Sequence, residues 1–338
     1  MSATKLFWID AVKAICMFSV YLLHSQQYYG LGNTDYGYAL MPFYVNAFFF
    51  VSGYLFFKKY LAFDLTNIKS WGGGNALKNV LFRLVIPTIL FSTLIYLPKV
   101  FFHKGDMAIS DYFFYVFGGI SYWFTSALVV AQLCLLLLLL FKRSSIWFYV
   151  LATALLFAVG SYLSASREAN DAAAFFPWYY STGFVYTFIM ALGGVYYRYE
   201  AHIDRVVKYA LPAIAVVYVW LMYSTWDVHS LKLLGLGGHS NFLGFVGIVC
   251  GTALLVAFSK MLRPVKSLEF IGRNSIVFYF FSGAMPAVFG TIARRVVADN
   301  LYIVTLSVAI LSFLSSYLLT WVIVRYMPFI TDLRKLKS

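Results

Sequence analysis

The chain has 338 residues, of which 62% are hydrophobic and only 12% are charged. Soluble domains carry about a quarter charged residues, so this composition excludes a soluble protein and predicts an integral membrane protein. The formal net charge of +13 does not indicate nucleic-acid binding, because the basic residues follow a membrane topology.

Ten apolar segments are long enough, at roughly 20 residues each, to cross a bilayer. They lie at 6–28, 39–57, 80–99, 122–141, 146–164, 178–197, 206–224, 241–259, 274–292 and 301–324. With the N-terminus in the cytoplasm, 19 of the 26 Lys and Arg residues fall inside, six fall outside and Lys13 lies within the membrane. This positive-inside pattern predicts an all-α polytopic membrane helix bundle of about ten transmembrane helices, with both termini cytoplasmic.

The organisation of the chain indicates one domain. No linker rich in Pro, Ser or charge divides it and no internal repeat is visible, so we predict a single integral-membrane domain over residues 1–338. The His, Cys and acidic residues show no metal-ligand spacing such as HExxH, so we predict no metal site. Because the predicted outer loops are short, we expect the chemistry to take place among the helices or at their ends.

The first apolar segment carries three ionisable residues on one helical face. Lys13 and His24 are eleven positions apart, which at about 100° per residue is close to three full turns and places them on one stripe about 16 Å apart. Asp10, three positions before Lys13, lies on a neighbouring part of that face. Ionisable groups inside a bilayer usually face a protein interior or a water-filled cavity, so the stripe is a candidate site.

His24 is the candidate reactive group, near the outer end of its helix. A neutral imidazole can take a proton from a hydroxyl, or carry an acyl group, near neutral pH. Each residue also has a purely structural interpretation. His24 could bond to backbone or water at the interface, and Lys13 could extend to the interface or be neutralised by Asp10.

The second segment contains small and polar residues within the run Phe48-Phe49-Phe50-Val51-Ser52-Gly53-Tyr54. Ser52 could donate to a carbonyl or a phosphate, although Ser and Gly together also allow helices to approach closely. Asn46 could orient a thioester carbonyl or bond across helices. Both interpretations stay open for each residue.

Basic residues cluster on the predicted inner side, where Lys58 and Lys59 end the second segment and Arg83 lies inside the third. Arginine binds phosphate through two parallel hydrogen bonds and lysine through a point charge, so this surface suits a nucleotide-bearing donor. For the lysines, the alternative explanation is that they only mark the cytoplasmic side of the membrane and bind no donor. On the outer side an aromatic belt accounts for most of the rings, and Trp123 beside Tyr122 is the candidate pair for stacking on an acceptor sugar.

Four short sequence elements, spread over nearly the whole chain, occur together in one group of membrane enzymes. They are Asp10 and Lys13 followed by His24, Phe48-Phe49-Phe50-Val51-Ser52-Gly53, Arg83-Leu84-Val85-Ile86-Pro87, and Gly272-Arg273-Asn274-Ser275 continuing to Tyr279. With these elements in this order, the chain resembles the acyltransferase-3 family of polytopic membrane O-acyltransferases, of the bacterial surface-carbohydrate O-acetyltransferase type.

The resemblance implies a reaction and a set of roles. Members of the family move acetyl groups, usually from acetyl-CoA, onto cell-surface carbohydrates, which implies that His24 is the catalytic residue and Lys13 its essential partner. It also implies a donor that enters from the cytoplasmic face and an acceptor on the outer face. Two departures from the family pattern stand out: lysine replaces the commoner arginine at position 13, and Val80 occupies the place of a second arginine before Arg83.

We therefore expect a membrane O-acetyltransferase of the inner (plasma) membrane, with acetyl-CoA as donor and a surface or lipid-linked carbohydrate as acceptor. Its expected catalytic residues are His24, Lys13 and Asp10; its donor-binding residues are Arg83, Lys58, Lys59, Ser52 and Asn46; its acceptor-binding residues are Trp123 and Tyr122. The expected partners are the glycan acceptor and membrane lipid, with no nucleic acid. The alternative is a secondary transporter that uses Asp10, Lys13 and His24 as a proton relay, although the paired broken helices of such transporters are not visible.

Overall fold

The computed structural model describes residues 6–29, 43–60, 73–102, 109–141, 145–169, 177–224, 242–296 and 301–332. Within these ranges the regular structure is helical and no strand is present. The helices are α1 (Phe7–Tyr29), α2 (Asn46–Tyr60), α3 (Gly73–Val80), α4 (Ile86–Phe102), α5 (Ile109–Phe117), α6 (Trp123–Leu139), α7 (Ile146–Ala169), α8 (Tyr180–Ser224), α9 (Phe242–Met261), α10 (Lys266–Arg273), α11 (Ser275–Phe281), α12 (Ala284–Val296) and α13 (Leu301–Tyr326). The all-α prediction is confirmed for this part of the chain.

Six helical stretches in the described residues are long and apolar enough to cross a membrane, so the protein is a multi-pass membrane protein. They are Phe7–Gln26, Gly74–Tyr96, Ile146–Ser164, Pro177–Tyr223, Leu243–Met261 and Tyr302–Tyr326. The pair α11 and α12, bent by 40°, adds a seventh if it forms one span. The predicted count of ten is not confirmed.

Two features account for the difference between six or seven spans and ten predicted segments. The stretch Pro177–Tyr223 has 47 residues, which at about 1.5 Å per residue is roughly twice the hydrocarbon thickness of a bilayer. It is kinked at Tyr199 (φ −119°, ψ 24°), between the predicted segments 178–197 and 206–224. The helices α2 and α6 have only 15 and 17 residues. The predicted segment 39–57 begins outside the described residues.

The described residues divide into two compact units. The first unit contains 6–29, 43–48, 201–224, 242–296 and 301–322, and the second contains 49–60, 73–102, 109–141, 145–169, 177–200 and 323–332. This division does not test the predicted single domain, which stays a prediction.

The helix α1 forms the centre of the first unit. It has 67% of its apolar window buried, against 11–44% for the other five candidate spans. It packs against α9, α10, α11 and α12. Phe313 of α13 contacts it edge-on through Phe18 and Tyr21, with ring centroids 5.5 and 5.3 Å apart. The polar side chains of α1 are therefore set among protein neighbours.

The second unit depends on glycines where α2 crosses α8. A Cβ atom at Gly53 would overlap the backbone of Met190, and one at Gly193 would overlap the backbone of Phe50 and Tyr54. Small residues allow helix backbones to approach closely within a membrane, where apolar side chains gain little by leaving lipid. Gly53 of the Ser-Gly pair is thus required for packing.

Candidate functional site

The imidazole of His24 is held by a backbone carbonyl. His24 lies on α1, and its Nδ1 is 2.8 Å from the carbonyl oxygen of Ser282, between α11 and α12. A carbonyl oxygen can only accept a hydrogen bond, so Nδ1 carries the proton and donates it. In a neutral ring the lone pair then lies on Nε2, which is the nitrogen available for chemistry.

Tyr21, one turn before His24, is anchored to the same helix pair. Its hydroxyl donates to the carbonyl of Phe278 at 2.7 Å, and the Tyr21 side chain is fully buried. The Ser25 hydroxyl next to His24 is also buried and donates to the Tyr21 carbonyl at 2.8 Å. The C-terminal half of α1 is therefore fixed against α11 and the loop that follows it.

Asp10, at the other end of α1, contacts α10. Arg273 donates from Nε to Asp10 Oδ2 at 3.4 Å and from Nη2 to Glu269 Oε2 at 2.7 Å. Lys13, one turn after Asp10, adds a second positive charge near the Asp10 carboxylate. A Cβ atom at Gly272 would overlap the backbone of Asp10, so α10 and α1 are in direct backbone contact.

This end of the first unit carries a balanced set of charges. Lys260 of α9 forms an ion pair with Asp204 of α8 at 2.6 Å. Its ammonium group also lies 5.2 Å from the ring centroid of Trp8 on α1. Together with Asp10, Lys13, Glu269 and Arg273, these charged groups contribute three negative and three positive charges. The formal charges of these six groups thus cancel.

The stripe that joins Lys13 to His24 is apolar in its middle. Met17 and Val20 lie on the same helical face and are 1% and 5% exposed. The polar side chains of α1 therefore lie in two separate groups, one at each end of the helix. Arg273 contacts one group and Ser282 contacts the other, and a buried apolar layer lies between them.

The contacts of α1 also define its direction. Asp10 meets Gly272 and Arg273, Tyr21 meets Phe278, and His24 meets Ser282. Residue numbers rise together along both partners, so α1 and the α11–α12 pair run parallel. Parallel packing of the first and ninth predicted segments is compatible with the predicted topology, although it does not establish ten spans.

Arg83 lies in the second unit, within a π-helical turn at Leu81–Val85 between α3 and α4. Pro87 has no N–H to donate to the Arg83 carbonyl four residues earlier, and the wider turn accommodates this loss. The Arg83 guanidinium is 63% exposed, with Nε 3.8 Å from Asp332 Oδ2. Lys58 is half-buried and Lys59 is exposed, with its ammonium 5.0 Å from the Tyr60 ring centroid.

The remaining predicted residues lie in different surroundings. Ser52 is half-buried on α2, while Asn46 is 4% exposed and belongs to the first unit. Trp123 begins α6 and is half-buried, with its ring centroid 6.3 Å from that of Tyr186. Tyr122 is only 7% exposed, so its ring offers less surface for stacking than Trp123 does. The structure thus places His24, Lys13, Asp10 and Asn46 in the first unit and the other predicted site residues in the second.

Residues 6–325 match the family model of the acyltransferase-3 group, described as an acyltransferase domain. The chain belongs to the acyltransferase-3 family. The match covers nearly all of the 338 residues and so includes both units of this acyltransferase. Comparisons with curated proteins and with solved structures found no significant match.

Two contacts of this acyltransferase were missed by the sequence analysis. Arg273 was named within the fourth sequence element and counted as an inner basic residue but not as a partner of Asp10, and Ser282 was not singled out at all. The interruption Ser282-Gly283-Ala284-Met285-Pro286 inside an apolar segment could have indicated a broken helix with a carbonyl lacking its usual donor. No local pattern, however, indicates that this carbonyl meets His24.

Metal ligation in proteins requires several His, Cys, Asp or Glu side chains close together. In the described part of this acyltransferase, no group of three or more His, Cys, Asp or Glu side chains is placed to hold an ion. The three histidines of the predicted outer loops, His103, His229 and His239, lie outside the described residues. The prediction that the enzyme has no metal site stays a prediction.

Proposed function

We propose that this acyltransferase is an O-acetyltransferase that moves an acetyl group from acetyl-CoA to a hydroxyl of a surface or lipid-linked carbohydrate. The observation that carries the proposal is the orientation of His24 on the interior helix of the first unit, with Nδ1 bound to the Ser282 carbonyl. An imidazole held through one nitrogen presents the other nitrogen in a defined direction, which suits proton transfer or nucleophilic attack.

Two chemical routes are compatible with this orientation. In the first, Nε2 takes the proton of the acceptor hydroxyl as its oxygen attacks the thioester carbonyl, and CoA leaves as the thiolate. In the second, Nε2 attacks the thioester, the C–S bond breaks, and the acetyl-imidazole is then attacked by the hydroxyl. Either route ends with an acetyl ester on the acceptor and CoA with a protonated thiol.

Further roles are proposed for the other predicted residues. Asp10 and Lys13 maintain the charged end of α1, with Arg273 as the partner of Asp10. Arg83, Lys58 and Lys59 are proposed to bind the donor phosphates, which is supported by the exposure of Arg83 in a π-helical turn, a feature common at functional sites. Ser52 and Asn46 are proposed donor contacts, and Trp123 and Tyr122 are proposed acceptor contacts.

The location of the reaction is part of the proposal. Acetyl-CoA is charged and would reach the enzyme from the cytoplasm, whereas surface carbohydrates lie on the opposite side. The inner (plasma) membrane is the proposed site, with the charged end of α1 toward the cytoplasm, in keeping with the positive-inside pattern.

Among the described residues, no specific contact favours the transporter alternative. A proton relay from Asp10 and Lys13 to His24 would have to cross the buried layer formed by Met17 and Val20. Asp10 is paired with Arg273 and His24 is bound to a backbone carbonyl, so each end of the stripe is fixed by its own partner.

The proposal is tested with acetyl-CoA that is labelled in its acetyl group. Purified protein is reconstituted in membranes that contain endogenous glycans, and both CoA release and label on glycan are measured. His24→Ala should abolish both signals, while His202→Ala, a change at an exposed histidine of α8, should preserve them. Retained acetyl transfer in His24→Ala would contradict the role of His24, and solute counterflow without acetyl consumption would favour the transporter.

A further inference from the structure

The carbonyl that binds His24 stands four residues before a proline. In an α-helix the N–H of residue i+4 donates to the carbonyl of residue i, and proline has no N–H. Pro286, which is buried, stands four residues after Ser282. The neighbouring carbonyl behaves differently, since Gly283 accepts from the N–H of Ala287 at 3.3 Å. The helical pattern thus resumes one residue beyond Ser282.

The local geometry follows from this sequence. The helix α11 ends at Phe281 and α12 begins at Ala284, with a 40° bend between them. The Ser282 amide and hydroxyl both donate back to the carbonyl of Tyr279, at 3.1 and 2.8 Å. Both Ser282 donors are therefore used within α11, while its carbonyl oxygen faces Nδ1 of His24.

We propose that Pro286 is a positioning residue for His24: by denying the Ser282 carbonyl its helical donor, it reserves that oxygen for the imidazole Nδ1–H. Pro286 acts through the backbone and at a distance of four residues along the chain. The proposal rests on the proposed function for its effect on catalysis, but its effect on the imidazole is independent of any reaction.

The consequence for the chemistry is a single tautomer. With the proton on Nδ1, Nε2 is the base or the nucleophile. If Nε2 removes the hydroxyl proton, the ring becomes an imidazolium that still donates from Nδ1. If Nε2 attacks the thioester, a C–N bond forms as the C–S bond breaks, and the thiolate carries away the electron pair. In both cases the Ser282 carbonyl accepts from a ring that has gained positive charge, which strengthens the hydrogen bond.

The tautomer is measured by NMR on the full-length protein in nanodiscs, with ¹⁵N- and ¹³C-labelled histidine. The His24 signals are identified by their absence in His24→Gln, and the pH is varied until the ring is neutral. We expect the Nδ1–H tautomer. The Nε2–H tautomer, or a ring that stays doubly protonated across the range, would overturn the proposal, and neither outcome depends on whether the protein transfers acetyl groups.

The role of Pro286 is tested with Pro286→Ala, which supplies an N–H that competes for the Ser282 carbonyl. We expect a smaller fraction of the Nδ1–H tautomer and a decrease in kcat on the order of tenfold, the effect of losing about one hydrogen bond, with KM for acetyl-CoA unchanged within about twofold. Pro212→Ala is the matched control, because Pro212 also lies inside a helix of the first unit but is exposed. It should change neither tautomer nor kcat.

Ser282→Ala distinguishes the role of the Ser282 backbone carbonyl from that of its side-chain hydroxyl. It removes the hydroxyl but keeps the carbonyl, so the Nδ1–H tautomer should persist. Loss of that tautomer in Ser282→Ala would assign the orienting role to the hydroxyl. A wild-type tautomer in a folded Pro286→Ala protein would overturn the role of Pro286. If Pro286→Ala does not fold, the wild-type tautomer and Ser282→Ala still decide whether the carbonyl orients His24.

Discussion

Arg273 Nε lies 3.4 Å from Asp10 Oδ2, although 263 residues separate the two positions in the chain. The same guanidinium binds Glu269 at 2.7 Å, so one arginine joins two carboxylates. The side chains of Asp10 and Arg273 are 16% and 42% exposed. The planar fork of arginine suits such a bridge, whereas the single ammonium of lysine does not.

The first prediction concerns this pair. We expect a double-mutant cycle of Asp10→Asn and Arg273→Gln to give a coupling free energy of unfolding of about 0.5–1 kcal/mol, the range for a partly exposed ion pair. Thermal unfolding in detergent measures it. Arg263→Gln, at an exposed arginine of the same unit, is the control and should show no coupling with Asp10→Asn. Strictly additive effects of the first two substitutions would contradict the pairing.

The second prediction concerns Gly272, which lies against the backbone of Asp10. Gly272→Ala places a methyl group where no space exists, so it should lower the free energy of unfolding by about 1–3 kcal/mol, as overpacking does. Gly74→Ala is the matched control, because nothing lies within 4 Å of its Cβ position. Comparable melting temperatures for the two variants would mean that α10 does not contact α1 this closely.

The third prediction concerns the proposed donor-binding role of Arg83. Arg83→Ala should raise KM for acetyl-CoA by about three- to tenfold while kcat changes little, because an exposed phosphate contact contributes modestly to binding and not to the chemical step. Arg83→Lys should recover part of the effect. The control is Arg198→Ala, an exposed arginine of the same unit. Equal increases in KM for the two alanine variants would assign the effect to general surface charge.

The fourth prediction concerns the topology of the 47-residue stretch Pro177–Tyr223. If it crosses the membrane twice, positions 167 and 232 lie outside and position 205 lies inside. Arg167→Cys, Arg205→Cys and Lys232→Cys are introduced singly into a protein without Cys16, Cys134 and Cys250. An impermeant maleimide added to intact cells should label the first and third only. Labelling of positions 167 and 232 from opposite sides would remove one predicted crossing.

Part of the candidate site was predictable because it depends on local periodicity. An α-helix has a fixed rotation per residue, so the spacing of Lys13 and His24 placed them on one face of α1. The apolar middle of that face, Met17 and Val20, was equally visible in the sequence, but the stripe was defined by its ionisable residues alone. Reading both together would have predicted two separate polar ends.

Other parts were not predictable from local patterns. The partners of His24 and Asp10 are 258 and 263 residues away. Gly272, Ser275 and Tyr279 were recognised as one element, yet nothing in their spacing indicates that Gly272 meets Asp10. Helix boundaries at α2 and α8 also differ from the predicted segments, since hydropathy reports which residues prefer lipid and not where a helix bends or ends.

The sequence by itself determined that this is a helical membrane protein with an acidic, a basic and an imidazole side chain on its first helix, because composition and helical rotation are properties of neighbouring residues. Only the tertiary structure decided which nitrogen of His24 is available and that Arg273 joins Lys13 beside Asp10. Those outcomes depend on the packing of α10, α11 and α12 against α1, and packing joins residues without regard to their distance along the chain.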